Sequence, residues 1–265
     1  MILFSDTYNI STTTPHSTSS TTPYTGPTTT PDRKCPFTIF KGEENHLVPL
    51  GQEDECCKDM SCLNDNHFCN DWQFEEDGTF IYQSKNNEPA TILLNGLEVQ
   101  GVDFNGTMTV DKNADADWIG ITFGYKDIKN FYVLLSPGIK NLRHKDHWRV
   151  TKVQSITGDT NKDMANAITY SEVDVEGQTK VLWRDEADGN GWKFDTDYVW
   201  QLQYRPIQAY VSIQIYEKTE DDALLVLDTG PVMIDPSDEF EQFGIFARSQ
   251  PSIAWYDMTY ECKDE

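Results

Sequence analysis

The sequence predicts an all-β protein whose strands form a β-sandwich, and three observations support this fold class. About a dozen short segments with strand character follow one another after residue 72, with turns rich in Gly, Asp and Pro between them. In several of these segments every second residue is apolar, which is the period of a strand with one face in a core. The only stretch with helical character, Asp163–Ile168, is short. Many strands with almost no helix are typical of two packed sheets.

The predicted strands are assigned from β-branched and aromatic residues at alternating positions. Between residues 198 and 204 every second residue is Tyr, Trp or Leu, and between residues 211 and 215 every second residue is Val or Ile. Turn residues end each run, so each run is a separate strand. In chain order, the predicted strands are Thr79–Tyr82, Thr91–Leu94, Asp103–Val110, Trp118–Tyr125, Phe131–Leu135, Trp148–Val153, Thr179–Trp183, Tyr198–Tyr204, Tyr210–Tyr216, Leu224–Leu227, Gln242–Ala247 and Ile253–Tyr260.

Two of these strands, Trp118–Tyr125 and Phe131–Leu135, are predicted to form a β-hairpin. Apolar residues alternate along both, so each strand has one face that we expect to be buried. The short charged segment 126–129 lies between them and makes the turn. Asp115 and Asp117 come directly before the first strand. The hairpin therefore carries carboxylates at its open end, which is a place where a hard cation can bind.

The charge of the chain limits its partners. Its 265 residues include 21 Lys and Arg against 44 Asp and Glu, which gives a formal charge of −23. Nucleic acid is excluded as a partner, because phosphate requires a basic surface. Cations, basic proteins or a mineral surface are favoured instead. Self-repulsion at this charge also destabilises the folded chain unless something offsets it.

Six cysteines predict disulfide bonds. Their even number and one adjacent pair are typical of a protein folded in an oxidising compartment. A zinc site is the alternative, but no second Cys-x-x-Cys motif or paired histidine completes it. Residues 35–71 therefore form a cysteine-rich segment, which we expect to staple the domain that follows. The cysteines are Cys35, Cys56, Cys57, Cys62, Cys69 and Cys262.

Residues 1–34 are predicted to be a disordered tract. From Ser11 to Pro31 almost every residue is Thr, Ser or Pro. Such a tract has no apolar face to bury and cannot offset the entropy lost on ordering. Its composition is consistent with a mucin-like stalk that carries O-glycans or with a plain flexible linker.

Further features indicate a secreted glycoprotein. Asn9 and Asn105 each begin a sequon for N-glycosylation. No secretory signal peptide is visible, since Met1–Phe4 is too short for an apolar core and Asp6 interrupts it. We therefore expect a fragment, a processed form or export by another route. No apolar run in the sequence is long enough to span a membrane.

Several stretches between Asn95 and the C-terminus have a recognisable order. They are Gly101–Thr107, Asp115–Tyr125, Asn130–Leu135, Thr179–Asp185, Gly191–Lys193, Tyr198–Pro206, Val211–Lys218, Asp228–Pro231 and Tyr260–Asp264. In this order they resemble the C-terminal domain of thrombospondins, and an ordered set is far more specific than one motif. Trp72–Leu94 is taken as the first strands of the same domain, which is therefore predicted to span residues 72–265.

The resemblance implies a lectin-like jelly-roll sandwich in a secreted, non-catalytic protein that contacts matrix or cell-surface proteins. It also implies that Cys262 pairs with a cysteine upstream of the sandwich, with Cys69 as the candidate. In the family, two acidic loops lie at one end of the sandwich and bind calcium. The corresponding carboxylates here are Asp115, Asp117 and Asp185, which are the expected Ca²⁺ ligands.

This chain departs from the family in two respects. The calcium-rich aspartate repeats that normally precede the domain are replaced by the Thr-rich tract and the cysteine-rich segment. Large calcium-loaded arrays and a coiled coil for oligomerisation are therefore not implied. In addition, Asn130 stands where the family has Arg before a Phe-Tyr-Val pattern proposed to bind a receptor. We therefore interpret Phe131–Val133 as a buried strand.

Catalysis is an alternative that rests on Glu172, Asp174 and Glu176. Their spacing matches the Glu-x-Asp-x-Glu signature of glycoside hydrolases that also use a jelly roll. On a strand, residues two apart share a face, so the three carboxylates would align as nucleophile, modulator and acid/base. Gly177 breaks such a strand, and a short acidic match arises easily in an acidic chain. The non-catalytic interpretation is therefore preferred.

Two further hypotheses follow from composition. An acidic secreted chain with a Thr-rich tract also suits an organic-matrix protein associated with a calcium mineral, where carboxylates meet lattice cations. His144, Asp146 and His147 suggest a metal site, but the pattern lacks a third ligand at a useful spacing. A surface loop is the simpler interpretation of this last segment.

Overall fold

A computed structural model describes residues 46–50, 72–75, 80–84, 90–111, 115–139, 147–154, 161–170, 173–186, 190–220 and 222–263. All of them belong to one unit, Cys35–Glu265. The predictions for residues 1–34, for five of the cysteines and for Asn9 lie outside the described residues, as do Glu172 and residues 144–146.

The described residues form strands and one helix, and the predicted strands are confirmed. In chain order these elements are β1 His46–Leu50, β2 Trp72–Phe74, β3 Phe80–Gln83, β4 Ala90–Leu94, β5 Val102–Val110, β6 Trp118–Asp127, β7 Asn130–Pro137, β8 Arg149–Gln154, α1 Asn161–Tyr170, β9 Thr179–Arg184, β10 Tyr198–Arg205, β11 Tyr210–Lys218, β12 Ala223–Asp228, β13 Val232–Met233, β14 Gln242–Arg248 and β15 Ile253–Cys262.

The strands build two antiparallel sheets that pack as a lectin-like sandwich. The seven-stranded sheet has the order β1-β4-β14-β6-β7-β8-β9, and the eight-stranded sheet has the order β12-β11-β10-β5-β15-β3-β2, with β13 beside β11. One apolar core joins them, with Phe104 and Trp200 from the larger sheet and Ile121 and Ile245 from the smaller one. These residues are fully buried because each stands at the alternating position that faces the other sheet.

The inner strands of the seven-stranded sheet are buried on both faces, which differs from the expectation of one buried face. Ile119, Ile121 and Phe123 of β6 face the core between the sheets. Phe131 and Val133 of β7 belong instead to a second core, to which helix α1 contributes Ala165 and Ile168. The helix covers the outer face of the sheet, so both parities of β6 and β7 are apolar or small for a structural reason.

Two buried arginines hold the last turn of α1. Arg149 of β8 donates to the carbonyl oxygens of Ile168 and Thr169, at 2.5 and 2.6 Å. Arg248 of β14 donates to the carbonyl oxygen of Ala165 at 2.7 Å and also to the hydroxyl of Thr169. The carbonyls of a helix's last turn have no partners within the helix and carry partial negative charge. The arginines therefore tie α1 to the sheet.

Three strands of the described residues were not predicted from the sequence, and the helix is longer than expected. β1 lies within the predicted cysteine-rich segment, yet it pairs with β4 from His46 to Leu50. β2 and β13 are too short to show a period. The helix begins at Asn161 and ends at Tyr170, whereas Asp163–Ile168 was predicted.

The described part of the chain contains no helix that is long and apolar enough to cross a membrane.

Candidate functional site

One end of the sandwich gathers carboxylates from both sheets, and we call it the acidic end. Its residues follow or precede strands that finish there. Asp185 donates its backbone N–H to the carbonyl of Trp148, and Asp195 donates to the carbonyl of Val110. The residues that define the acidic end are Asp111, Asp115, Asp117, Asp185, Asp195 and Asp197.

The residues just after β7 contact segments close to both predicted calcium loops. Gly138, just after β7, donates its N–H to the carbonyl of Ala116 at 3.2 Å, and Ile139 donates to the carbonyl of Trp192 at 2.9 Å. A Cβ at Gly138 would lie 2.9 Å from the Trp192 ring and 3.1 Å from the Cβ of Ala116. Only glycine therefore leaves room at position 138 for Trp192 and Ala116 to pack against the end of β7.

Each predicted ligand sits in a defined local setting. The carboxylate of Asp115 is exposed and accepts the N–H of Ala116 at 2.8 Å. Asp117 is half-buried, and its N–H donates to the side-chain oxygen of Gln250 at 2.7 Å. The carboxylate of half-buried Asp185 accepts from the amide of Asn190 at 2.7 Å. Hydrogen bonds thus hold Asp115, Asp117 and Asp185 in defined positions at the acidic end.

The residues at the acidic end have the ligand chemistry of a calcium site. Asp and Asn side chains and backbone carbonyls are the oxygen ligands that Ca²⁺ prefers. Among the residues that the structure describes, no three His, Cys, Asp or Glu side chains stand close enough to hold a metal ion. Residues 112–114, 140–146 and 187–189, which flank both loops, lie outside that part of the chain. The three ligand assignments therefore stay predictions.

Three of the five non-glycine residues with positive φ in the described part of the chain lie near the acidic end. Asp195, Ser249 and Ser252 have φ values of 50°, 51° and 59°, which are unfavourable for residues with a side chain. Gln250, between the two serines, is buried, and its side-chain oxygen accepts the N–H of Asp117. Strained backbone persists only where the surroundings enforce it, and it is often found at binding sites.

Tyr198 stiffens the same end from the eight-stranded sheet. Its hydroxyl accepts the N–H of Lys193 at 3.0 Å, and Lys193 pairs with Glu217 at 2.7 Å. Burial raises the pKa of Tyr198 to about 12 from its ordinary value of 10.0, and the charge of Glu217 adds to the shift. The tyrosine therefore stays neutral over the physiological range and acts as a structural acceptor.

The opposite end of the sandwich, where β6 ends and β14 begins, carries a buried polar network. Glu241 is 2% exposed; it accepts from the hydroxyls of Tyr204 and Ser237 and pairs with Lys126 at 3.3 Å. Burial raises the pKa of Tyr204, and the negative charge of Glu241 raises it further. Burial opposes the charge of Lys126, but bonding to Glu239 and Glu241 raises its pKa overall. These contacts anchor the loop before β14.

The strand alignment that the glycosidase hypothesis requires is not formed. Val173 lies in a bend, Val175 bridges to Thr179, and Glu176 lies in the turn between them. The carboxylate of Asp174 accepts the N–H of Val181 at 2.8 Å, beside an open groove of about 570 Å³ along β9. Asp174 and Glu176 therefore do not share a sheet face in the manner that the hypothesis assumed.

The Phe-Tyr-Val pattern lies in the protein interior. Phe131 and Val133 are fully buried, and Tyr132 is 5% exposed. β7 sits between β6 and β8 in the middle of its sheet. The interpretation of these residues as a core strand is confirmed by their burial.

The last strand is secured at both its edges and its end. Cys262 is disulfide-bonded. Next to it, Lys263 pairs with Glu261 at 2.5 Å and with Asp103 at 3.6 Å. Arg205 of β10 also pairs with Asp103, at 2.5 Å. The identity of the partner cysteine, for which Cys69 is the candidate, stays a prediction.

Sequence analysis did not single out the residues that assemble the acidic end. Gly138, Trp192 and Gln250 act through contacts between segments far apart in the chain. Asn190 had a local signal, since it stands in the Gly-rich turn after Asp185. Gly138 and Gln250 carry no signal that one sequence can show, whereas Trp192 lies in Gly191–Lys193, a stretch that resembled the family but was given no role.

The two-sheet sandwich with one helix on an outer face places the chain among lectin-like β-sandwich proteins. Residues 68–264 match the thrombospondin C-terminal region, and the chain belongs to that family. The match includes β2, β3 and β4, so the domain begins earlier than the stretches recognised from Asn95 onward.

Named relatives agree with the family match. Thrombospondin-4-B of Danio rerio is 32% identical over 206 residues, which covers 73% of this chain and 20% of the relative. Cartilage oligomeric matrix protein of Rattus norvegicus is 31% identical over 206 residues, which covers 73% of this chain and 26% of the relative. The chain thus spans about a fifth to a quarter of the length of these relatives.

Two solved structures align with most of this chain, at low scores. The carbohydrate-binding module CBM66 from Bacillus subtilis has a TM-score of 0.47 at 14% identity, over 85% of this chain and 99% of that one. A Lotus tetragonolobus seed lectin has a TM-score of 0.46 at 12% identity, over 86% and 98%. At these scores and identities nothing about ligands follows for this chain.

Proposed function

We propose that this chain is a secreted, non-catalytic extracellular-matrix protein whose lectin-like domain binds calcium at its acidic end and contacts matrix or cell-surface proteins. Membership of the thrombospondin C-terminal family supports this assignment, as does the name of a relative, cartilage oligomeric matrix protein. Asp115, Asp117 and Asp185 are the proposed Ca²⁺ ligands.

One observation carries the calcium part of the proposal. The loops of Asp115 and Asp185 are distant in sequence, yet Gly138 donates to Ala116, next to Asp115, and its neighbour Ile139 donates to Trp192, seven residues after Asp185. A cation that bridges two such loops binds the folded chain but has no comparable site in the unfolded chain. Calcium binding would therefore stabilise the fold by mass action.

The negative charge of the acidic end also supports the calcium proposal. Asp111, Asp195 and Asp197 add negative charge at the same end of the sandwich. Carboxylates that share one end of a domain raise the local concentration of cations and also repel one another. A bound Ca²⁺ would relieve that repulsion, which is one way to offset the cost of a chain with a formal charge of −23.

The test is a calcium titration followed by thermal unfolding and by isothermal calorimetry. We expect the melting temperature of the chain to rise with millimolar calcium. In the double variant Asp117→Ala/Asp185→Ala the rise should be largely lost, because two of the three proposed ligands are removed. No rise in the unaltered chain would overturn the calcium proposal.

A matched control removes charge elsewhere. Asp238 is exposed in the loop before β14, at the opposite end of the sandwich, where its backbone carbonyl accepts from Gln100 at 2.8 Å. Asp238→Ala should keep the full calcium response. If Asp238→Ala and Asp117→Ala reduce the response equally, calcium acts by general screening and the assignment of the site is wrong.

The matrix part is tested separately. The chain, secreted from cultured cells, should be retained on decellularised matrix, and chelation of calcium should release it if the acidic end forms the contact. Retention on the matrix that is no greater than that of an unrelated acidic protein would contradict the proposal. Neither the fold nor the relatives support association with a mineral, which rested on composition alone.

A further inference from the structure

The outer face of the eight-stranded sheet is polar and open. Its central strand, β5, places Phe104 and Met108 in the core, so Asp103 and Asn105 point to the outer face. α1, the helix of the described residues, packs on the other sheet instead. The middle of the outer face is thus formed by side chains that reach solvent.

Asn105 lies at the centre of that face. In the register of the sheet it stands between Gln201 of β10 and Thr259 of β15, and both of these neighbours are exposed. The next row, in which Asp103 lies between Gln203 and Glu261, is polar as well. A large substituent on the side-chain amide of Asn105 would therefore project into solvent without displacing a packed group.

The two residues after Asn105 have structural reasons to be what they are. A Cβ at Gly106 would lie 2.4 Å from the ring of Trp200, so the core requires glycine there. Thr107 is 4% exposed, between Val199 and Tyr256 in the register. Packing thus accounts for both, and these roles are independent of any modification.

Packing does not account for the asparagine at position 105. Its side chain makes no hydrogen bond or ion pair with any residue that the structure describes, and it is half-exposed. Asparagine is also disfavoured in the interior of a strand. Its presence in front of Gly106 and Thr107 completes an Asn-x-Thr acceptor at the one position of the three that packing does not determine.

We propose that Asn105 carries an N-linked glycan that covers the centre of the outer face of the eight-stranded sheet. The side-chain amide nitrogen forms a bond to the anomeric carbon of an oligosaccharide, whose bond to a polyprenyl pyrophosphate breaks. The pyrophosphate leaves with the electron pair, and the amide loses one proton to a base. The sugar donor is supplied by the secretory pathway, so the inference rests on the secretion assigned under the proposed function.

The glycan has a consequence for partners. A bulky, solvated group at the centre of β5 keeps that face from stacking on another sheet or domain. The partner surfaces of the domain are then its two ends and its edges. The acidic end stays open, because Asn105 lies in the middle of its strand and five residues before the strand's last residue, Val110.

The test uses the full chain behind a supplied signal peptide in cultured animal cells. Asn9→Gln removes the other sequon, and a peptide that contains Asn105 is then mapped by mass spectrometry with and without peptide N-glycosidase. We expect the Asn9→Gln chain to lose the mass of one glycan on enzyme treatment. Adding Asn105→Gln should abolish that loss.

A conservative variant separates modification from folding. Thr107→Ser keeps the acceptor and should stay glycosylated, whereas Thr107→Val removes the acceptor at similar size and should not be glycosylated. An unmodified Asn105 in the Asn9→Gln chain, recovered from the secretory compartments, would overturn the inference. Because the signal peptide is supplied, that outcome is distinct from a failure of the chain to be exported in its natural context, which would contradict the proposed function.

Discussion

At the scale of single residues, buried polar groups in this protein are held by specific partners. Glu241 is a case in which a carboxylate is almost fully buried yet bonded to two hydroxyls and an ammonium group. An ion buried in this way is costly unless each partner is present. Gly124, next to the network, has a φ of 59°, and a Cβ there would lie 2.6 Å from the hydroxyl of Tyr204. Even small side-chain substitutions at this network should therefore lower the free energy of unfolding.

Removing one hydroxyl tests this network. Tyr204→Phe leaves Glu241 buried with one donor fewer, so we expect a loss of about 1–3 kcal/mol in the free energy of unfolding, measured by urea denaturation. Tyr216→Phe is the control, because the Tyr216 hydroxyl bonds half-exposed Gln214 at 3.0 Å. That change should stay within about 0.5 kcal/mol. Equal losses in the two variants would show that the network contributes nothing special.

Buried tyrosines also predict how stability depends on alkaline pH. Burial raises the pKa of Tyr125, Tyr132 and Tyr198 to about 12 from the ordinary value of 10.0. The unfolded chain therefore loses these protons at lower pH than the folded chain does. Their contribution to stability is complete below pH 10 and is lost as the pH rises towards 12. We expect unfolding in that window, with tyrosinate absorbance appearing together with the loss of circular dichroism. Ionisation of these tyrosines well before unfolding would contradict the assignment.

At the scale of secondary-structure elements, α1 depends on the sheet beneath it. A helix of ten residues is marginal on its own, so its stability comes from packing and from its end contacts. Arg149 and Arg248 supply those contacts from β8 and β14, and the guanidinium of Arg149 lies 4.8 Å from the ring of Trp118. The helix in turn keeps the outer face of the seven-stranded sheet dry.

Loss of one arginine should release the helix before the sandwich. Arg248→Ala removes the donors to Ala165, Thr169 and Asn166, and we expect faster hydrogen exchange of the α1 amides than of the amides in β6 and β14. Arg184→Ala, on exposed edge strand β9, is the control and should leave exchange unchanged. Uniform acceleration across the domain would mean that α1 unfolds only with the whole protein.

The elements also show how far a single sequence predicts this fold. Long strands such as β10 were predicted because their period of two is unbroken, as the alternation of buried Trp200 and exposed Gln201 shows. The side of β7 that faces α1 was not predicted. A strand in a sheet that is covered on both faces lacks the alternation of polar and apolar residues that would distinguish one face from the other. β1 was missed because its residues, with Pro49 among them, lie in a segment whose cysteines dominate the pattern.

At the scale of the whole molecule, the acidic end shows the same division between local and distant information. Asp115, Asp117 and Asp185 were chosen from local acidic patterns and from the family resemblance. That Gln250 would hold Asp117 was not predictable, since 133 residues separate them. The contacts of Gly138 and Ile139 with Ala116 and Trp192 are likewise a product of the tertiary fold, which brings the start of β6 and the ends of β7 and β9 to the same end of the sandwich.

The net charge leads to a final prediction that separates screening from specific binding. At a formal charge of −23, repulsion between like charges destabilises the folded chain. Monovalent salt weakens this repulsion, because the screening length is about 10 Å at 0.1 M. Sodium chloride should therefore raise the melting temperature modestly. Calcium chloride at matched ionic strength should raise it further, since a ligand at about 100 times its Kd adds roughly 2.7 kcal/mol. The excess should vanish in Asp117→Ala/Asp185→Ala, while the response to sodium chloride stays. Identical curves for the two salts would assign the whole effect to screening and leave the acidic end without a specific cation.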